Sequence, residues 1–443
     1  MGITKTLQRL RLLRPDEWDP PTPLNHLLTN LQSFPLYIIP IPLPLLRLVI
    51  SHLYRLFLFL RGHVFHPPSN LSPIRVVCIS DTHDTELSLE KIPEGGEGGL
   101  LIHAGDLTDD GSKEGIQRQL DWLGEVKRQK GFEKVLVIGG NHDGWFDDRP
   151  EEGARRVLTG SVFGDMDGGD GKLRWPEGVH YLDGMGMGMG GNGGEGEGEG
   201  EGVMTIAFFE GKAKGRKLNV WGWGGVPRCG GPEHAFQYDR PDHPWTNRIP
   251  LETDILITHT PPRHHLDLDL GCAGLLAELW RVKPKLHVFG HIHWGAGSEA
   301  VYYDECQRAY ESLMARGADV PFPPAFPSLF SFPPASSASV QSASPNQEPS
   351  KMLVKQRPTN LVNILLLPVY FGVALSLYLV EIIERVGMDL MDAARVIWYG
   401  ATAVVWKWVM QGPGTNNGGL LVNSSVTYGN TGRVVNPVQV VEL

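Results

Sequence analysis

Five short polar motifs constrain this chain more than any other feature. Asp81-Thr82-His83, Gly105-Asp106, Gly140-Asn141-His142-Asp143, Thr258-His259-Thr260 and Gly290-His291-Ile292-His293 occur in that order. Each follows a run of β-branched and aliphatic residues: Arg75–Ser80, Leu100–His103, Val135–Ile138, Asp254–Thr258 and Lys285–Phe289. Such runs read as buried strands. Between them, Ser112 is placed to cap a helix over Lys113–Lys130, with Ile116, Leu120, Leu123 and Val126 on one stripe. A second helix fits Ala273–Val282, and further strands fall at Val203–Phe209 and Leu218–Trp223. This rhythm predicts an α/β layered fold, in which binding groups sit at strand ends.

The donors gathered this way are Asp81, His83, Asp106, Asn141, His259, His291 and His293. All are imidazole nitrogens or hard oxygens. That set suits first-row divalent or trivalent metals (Mn, Fe, Zn, Ni or Co) and not copper(I). Asp81 and His83, two residues apart in an extended turn, point the same way and can grip one cation. His291 and His293 repeat the pattern. Asp106 has two oxygens and can bridge two cations. Two metals ~3.5–4 Å apart stabilise both the attacking and the leaving oxygen of a phosphoryl displacement, and a water between them loses its proton near neutral pH. His142 adjoins Asn141, where it can face a substrate and protonate a leaving oxygen, with Asp143 to orient it. His103, His180, His234, His243, His264, His265 and His287 have no partner at ligand spacing and read as structural or surface residues, His264 and His265 as rim groups.

Composition narrows the class. Forty Lys and Arg against 50 Asp and Glu give a net charge of −10, so no basic face for nucleic acid is expected. Cys78, Cys229, Cys272 and Cys306 form no CxxC pair, which predicts neither a disulfide framework nor a thiolate zinc site, and a reducing compartment. The 54 Gly and 34 Pro exceed what a compact core needs. Residues 184–202, a Gly/Met and Gly/Glu repeat, read as a flexible insertion, and 321–349, rich in Pro, Ser and Ala, as a linker.

Residues 1–72 read as an N-terminal extension. Met1 to Thr6 fits the N-myristoylation pattern, and Arg9, Arg11 and Arg14 follow among leucines. The apolar run 34–60 begins too late for a secretory signal. Pro35, Pro40, Pro42 and Pro44 bar regular helix from its first half. Leu45–Leu60 reads as an amphipathic helix for a membrane interface or for the protein surface. Leu361–Val380 has 20 residues without charge, enough to span a bilayer, and a poorer stretch runs Ala393–Met410. Segments 34–60 and 361–410 are thus the expected membrane contacts. The tail reads as two strands with a turn, Leu420–Asn423 and Val438–Val441. A tail in the same sandwich requires 361–410 to cross twice as a hairpin or not at all. Lys351, Lys355 and Arg357 then place the catalytic domain on the cytoplasmic side, an intracellular location.

Asp81-x-His83, Gly105-Asp106, Gly140-Asn141-His142, His259 and Gly290-His291-x-His293 together resemble the calcineurin-like metallophosphoesterase superfamily. Cys78–His83, Leu101–Asp106, Thr253–Pro262, Gly271-Cys272 and Pro284–His293 resemble its metallophosphoesterase-domain-containing branch. The resemblance covers about 73–299 and the tail from 418. It implies a four-layer α-β-β-α sandwich over 73–300 and 418–443, interrupted by an apolar helical insertion over 301–417. It implies one metal on Asp81, His83, Asp106 and His293, and a second on Asp106, Asn141, His259 and His291. The implied activity is dinuclear-metal-dependent hydrolysis of a small phosphodiester or phosphomonoester, cyclic nucleotides included, by attack of a metal-bridging hydroxide. Gly105-Asp-Leu-Thr-Asp-Asp-Gly111 departs from the Arg-rich motif of the protein phosphatases. Trp221 to Trp245 falls where the branch has a substrate-side loop, and Arg228 within it reads as solvent-facing. The alternative reading is a membrane-tethered scaffold or binding protein on this fold with little turnover. A nuclease is disfavoured by the acidic charge and the missing basic, aromatic-lined groove.

Overall fold

The computed structural model describes residues 42–62, 73–147, 173–184, 203–208, 214–231, 233–318, 367–410, 418–429 and 432–443. The Gly/Glu repeat past 184, the first 41 residues, the 321–349 linker and 361–366 lie outside the described residues. In chain order the elements are α1 (Pro42–Arg61), β1 (Arg75–Ile79), β2 (Leu100–Ala104), α2 (Lys113–Lys130), β3 (Lys134–Ile138), β4 (Val179–Tyr181), β5 (Met204–Ala207) and β6 (Lys217–Trp223). There follow β7 (Val226–Pro227), β8 (Gln237–Tyr238), β9 (Ile255–Thr258), α3 (Ala273–Val282), β10 (Leu286–Phe289), β11 (Gly297–Val301), α4 (Glu305–Ala318), α5 (Leu367–Met410), β12 (Gly419–Asn423) and β13 (Gln439–Glu442).

The chain divides into two units, one of Met1–His52 with Ser312–Ala394 and one of Leu53–Glu311 with Arg395–Leu443. The second holds two sheets. One has the order β13-β1-β2-β3-β4, the other β11-β12-β10-β9-β6-β5. Strands β1, β2, β3 and β4 run parallel, as do β6, β9, β10 and β12.

Side-chain alternation along each strand sorts the core into layers. Val76, Cys78, Leu100, Ile102, Leu136 and Ile138 of the first sheet pack against Ile255, Ile257, Leu286, Val288 and Val422 of the second. The intervening residues point the other way. Val77, Leu101, Val135 and Val137 meet Ile116, Leu120, Leu123 and Val126 of α2. Leu256 and Phe289 meet Leu275 and Leu279 of α3. The strands are therefore buried on both faces, as parallel strands in layered folds are, and the order of layers is α-β-β-α.

Helix α2 keeps its expected bounds because its caps are local. The Ser112 hydroxyl accepts from the Gly115 amide, and Gly131 closes the last turn in the left-handed region. Helix α1 starts earlier than its prolines suggested, at Pro42. Pro42 and Pro44 occupy the first turn, whose amides lack intrahelical partners anyway. The tail departs from the expected pair of strands with a turn. β12 enters the second sheet between β10 and β11, and β13 pairs antiparallel with β1 in the first. The apolar stretches 361–380 and 393–410 are joined without a break from Leu367 to Met410 in the single helix α5, so of the two arrangements weighed above the hairpin is not formed. In the first unit, Asp389 is buried between Arg47 (2.6 Å) and Arg316 (2.7 Å), and Arg316 also holds Asp392 (2.5 Å).

His265 is no rim group. Its ring is fully buried, with Nδ1 3.1 Å from Glu299 on β11 and Nε2 2.9 Å from Glu311 on α4. His264 is buried as well. Burial opposes charge on His265, but Glu299 and Glu311 outweigh it and carry its pKa up to about 10. A pKa raised by folding stabilises in full below the unfolded value of ~6.5, and that contribution fades as pH rises toward the folded value. Urea unfolding is therefore expected to show stability falling from neutral pH to about pH 10. His265→Gln should be less stable at neutral pH and lack that decline; an unchanged alkaline profile would contradict the assignment.

Candidate metal centre

Parallel strands bring their C-terminal ends to one edge, and all five polar motifs leave from that edge. Asp81 and His83 follow β1, Asp106 follows β2, and Asn141, His142 and Asp143 follow β3. His259 follows β9, and His291 and His293 follow β10. The backbone turns sharply there. Asp81, His83, Asp106 and His291 have positive φ (54°, 45°, 52° and 67°), a conformation that costs non-glycine residues energy and that clusters at functional sites. Two motif glycines make room for the carboxylates. A Cβ on Gly140 would lie 2.3 Å from Asp106 Oδ1, and one on Gly290 would lie 2.3 Å from Asp81 Oδ2.

The donors form three groups whose ligand atoms lie within 4.8 Å of one another: Asp81, His83 and His293; Asp106, His259 and His291; and His83, Asp109 and His142. Asp106 stands between the first two, with Oδ2 3.2 Å from His259 Nε2 and 3.8 Å from His83 Nε2. Its Oδ1 accepts from the His142 amide at 2.8 Å. Asn141 Oδ1 lies 3.1 Å from His259 Nε2.

Backbone carbonyls fix the imidazole tautomers. His259 Nδ1 lies 2.8 Å from the Ala104 carbonyl oxygen, and His293 Nδ1 lies 2.7 Å from that of Gly429. Each Nδ1 donates, so each Nε2 of a neutral ring carries its lone pair inward. Yet His259 Nε2 faces two oxygen acceptors, Asp106 and Asn141, and His293 Nε2 lies 3.2 Å from Asp81 Oδ1 and 3.4 Å from His83 Nε2. Lone pairs opposed in this way call for a positive charge among them. Protons supply it where no cation does. Burial disfavours charge on His259, but Asp106 carries its pKa up to about 9, and Asp81 does the same for His293. His291, half-buried beside His259, is pushed down to about 3 by the loss of solvent around its ring and stays neutral, with neither ring nitrogen hydrogen-bonded among the described residues. Inward lone pairs, outward N–H groups on carbonyls and ionised carboxylates are what metal-binding histidines require, so the donor set fits two cations.

Asp143 does not reach the His142 ring. Its buried carboxylate accepts from the amides of Leu107 (3.1 Å), Thr108 (3.0 Å) and Gly140 (2.9 Å) and from the Thr108 hydroxyl (2.9 Å). It ties the β2 and β3 loops together. The His142 ring is held instead by the Asp109 carbonyl, 2.9 Å from Nδ1. Burial and the Asp106 charge raise the Asp143 pKa to about 6.

Two side chains unmarked by spacing also belong here. His234, from the loop between β7 and β8, lies 3.2 Å from Asn141 Nδ2 and edge-on to His142 with ring centroids 5.1 Å apart. The Asp109 carboxylate is 2.8 Å from His83 Nδ1. The second Asp of Asp106-Leu-Thr-Asp109 was the available signal, whereas His234 had none. Other expectations resolve as structure. His103 and His287 are buried and bonded to Thr82 (3.0 Å) and Thr258 (2.8 Å). Trp221 and Trp245, the ends of the segment expected on the substrate side, are fully buried beside α3, while His234 between them reaches the site. Arg228 is exposed and paired with Asp239. Because Gly140 touches Asp106, Gly140→Ala should lower Mn²⁺ affinity by ~tenfold or more while the far-ultraviolet circular dichroism is kept; calorimetric titration showing unchanged affinity would refute the packing argument.

With this geometry in hand, comparison with known proteins is informative. The model of the calcineurin-like phosphoesterase family matches residues 74–295, about half of the chain. An Emericella nidulans protein named as a probable rhamnogalacturonate lyase C is 39% identical over 247 residues, covering 54% of this chain and 19% of that one. A UPF0046 protein of Caenorhabditis elegans is 31% identical over 274 residues, 57% of this chain and 82% of that one. The human metallophosphoesterase domain-containing protein 1 is 31% identical over 233 residues, 50% and 61% of the respective chains. The chain thus spans about a fifth of the first relative and about three fifths of the last. The matched span runs from the start of β1 to just past His293 and takes in every donor described above: the chain belongs to the calcineurin-like phosphoesterase family.

Proposed function

We propose that this chain hydrolyses a small phosphoester, with two divalent or trivalent cations held by Asp81, His83, Asp106 and His293 on one side and by Asp106, Asn141, His259 and His291 on the other. The observation that carries this reading is the position of Asp106 between two donor groups that share no other carboxylate. Bound there, the cations supply an activated water and neutralise charge on the phosphoryl oxygens. Everything else falls to the side chains. Asp106 and Asp81, themselves buried, hold charge where electrostatic interactions are strong. His142 presents Nε2, because its Nδ1 is engaged by the Asp109 carbonyl. From that position it donates a proton to the departing oxygen. Burial works against charge on His142, yet the nearby Asp106 carboxylate raises its pKa above the ordinary value, which favours an acid role. Asp143 is a positioning residue that keeps the β2 and β3 loops, and so Asp106 and Asn141, in register. His234 orients Asn141 through its amide nitrogen.

A phosphodiester is favoured over a monoester. The exposed carboxylate beside His83 and His142 is Asp109, and a diester brings one negative charge toward it where a monoester brings two. Mn²⁺-reloaded protein is expected to hydrolyse bis(4-nitrophenyl) phosphate, and Asp106→Ala to abolish turnover. His142→Ala should lower kcat by ~10²–10⁴ while metal content is unchanged. Metal uptake without hydrolysis of that diester or of 4-nitrophenyl phosphate would favour the scaffold reading.

A further inference from the structure

Helices on a protein surface normally turn polar residues outward. α1 does the reverse. Ile50 and Tyr54 are buried on one face, while Leu45, Leu48, Val49, Leu56, Phe59 and Leu60 are exposed at helical spacing, interrupted by His52 and Arg55. Over Leu43–Arg61 it is also long and apolar enough to cross a membrane, and little of it is buried. The end of α5 behaves the same way. Val396 and Gly400 face inward, and Trp398, Ala401, Val405, Trp408 and Val409 repeat outward at spacings of three and four.

Within the second unit these two helix ends lie side by side. Gly400 leaves room for the Phe57 ring. Lys407 Nζ donates to the carbonyls of Leu60 (3.3 Å) and Arg61, which ends α1. The two C-termini therefore point the same way, and Phe59 (80% exposed), Trp406 (63%) and Trp408 (72%) all face outward at those ends. A monomer in water has no use for such a patch. Tryptophan is the residue that settles at a lipid–water boundary. Charge selects the occupant: residues 1–61 carry seven Lys and Arg against three Asp and Glu, in a chain of net charge −10. A cationic segment leading into outward apolar helices complements anionic headgroups. The patch is anchored at the far end of the second sheet from the motifs, through Arg61 to Asp304 (2.6 Å) and Tyr302 Oη to the Gly62 carbonyl (2.6 Å).

We propose that the C-terminal ends of α1 and α5 dock on an anionic lipid surface. This inference is independent of the phosphoesterase reading. The test uses the full chain with vesicles of phosphatidylcholine, alone or with about 30% phosphatidylserine. The protein should sediment with the anionic vesicles more than with the neutral ones, and its tryptophan emission should shift to the blue. Phe59→Ser with Trp406→Ser and Trp408→Ser should weaken that binding by ~tenfold or more, leaving Mn²⁺ affinity and melting temperature unchanged, since all three side chains are exposed. No binding to either vesicle overturns the proposal, as does equal binding by the triple variant. A dimer that the three substitutions dissociate, with no vesicle binding, would assign the patch to a second copy instead.

Discussion

Asp81 and Asp106 are almost entirely withdrawn from water, and most of the surrounding architecture answers that fact. A lone buried carboxylate is costly and would take up a proton. Here burial pushes both pKa values up, but His259 and His293 more than offset it, and both carboxylates are held below the usual carboxylate range. Asp81 accepts from the His291 amide (3.0 Å) and Ser80 (2.5 Å), and Asp106 from the His142 amide. The strained φ values, the glycines that clear space and the carbonyls that turn each imidazole inward all follow from assembling these donors. Strain of this kind persists only where its surroundings over-determine it. Two sheets packed face to face, each with parallel strands ending at the same edge, provide those surroundings.

How much of this was legible in the sequence depends on whether the cause was local. Strand runs and the five motifs lie next to each other in the chain, so the donor set could be read directly. Helix α2 could be read to the residue because its cap, Ser112, lies just before it. What escaped was non-local. His234 reaches Asn141 across 93 residues, and the Gly429 carbonyl that orients His293 is 136 residues away. His265 finds Glu299 and Glu311 only once β11 and α4 are in place. Trp245 carries no sign in the sequence that it is core, and is so because it packs with Trp221 against α3. In α5, Asp389 and Asp392 lie between the two apolar stretches, where a connection would have to turn. Their pairing with Arg47 and Arg316 removes the need for one, and the helix runs on.

The long insertion raises the question of how a site so tightly built tolerates more than a hundred extra residues between β11 and β12. The ladder between those strands answers it. Gly297 pairs with Asn423 at the end near the motifs, and Val301 pairs with Gly419 at the opposite end. The chain thus leaves the sheet at Val301 and returns beside it at Gly419, so the excursion begins and ends at neighbouring points. Closing a longer loop between fixed neighbours costs little, since the entropy grows only with the logarithm of length. After its return, β12 runs back to the motif edge and contributes there. Asn423 Nδ2 donates to the Ile292 carbonyl (2.9 Å), Thr427 donates to that of Asp81 (2.5 Å), and Asn436 Nδ2 donates to that of His293 (3.3 Å). The last 25 residues therefore brace both Asp81 and His293 from outside the matched family span. An insertion placed at the other end of the ladder would separate those braces from the strands they support. Placed where it is, the excursion leaves the hydrogen bonds that hold the donors intact.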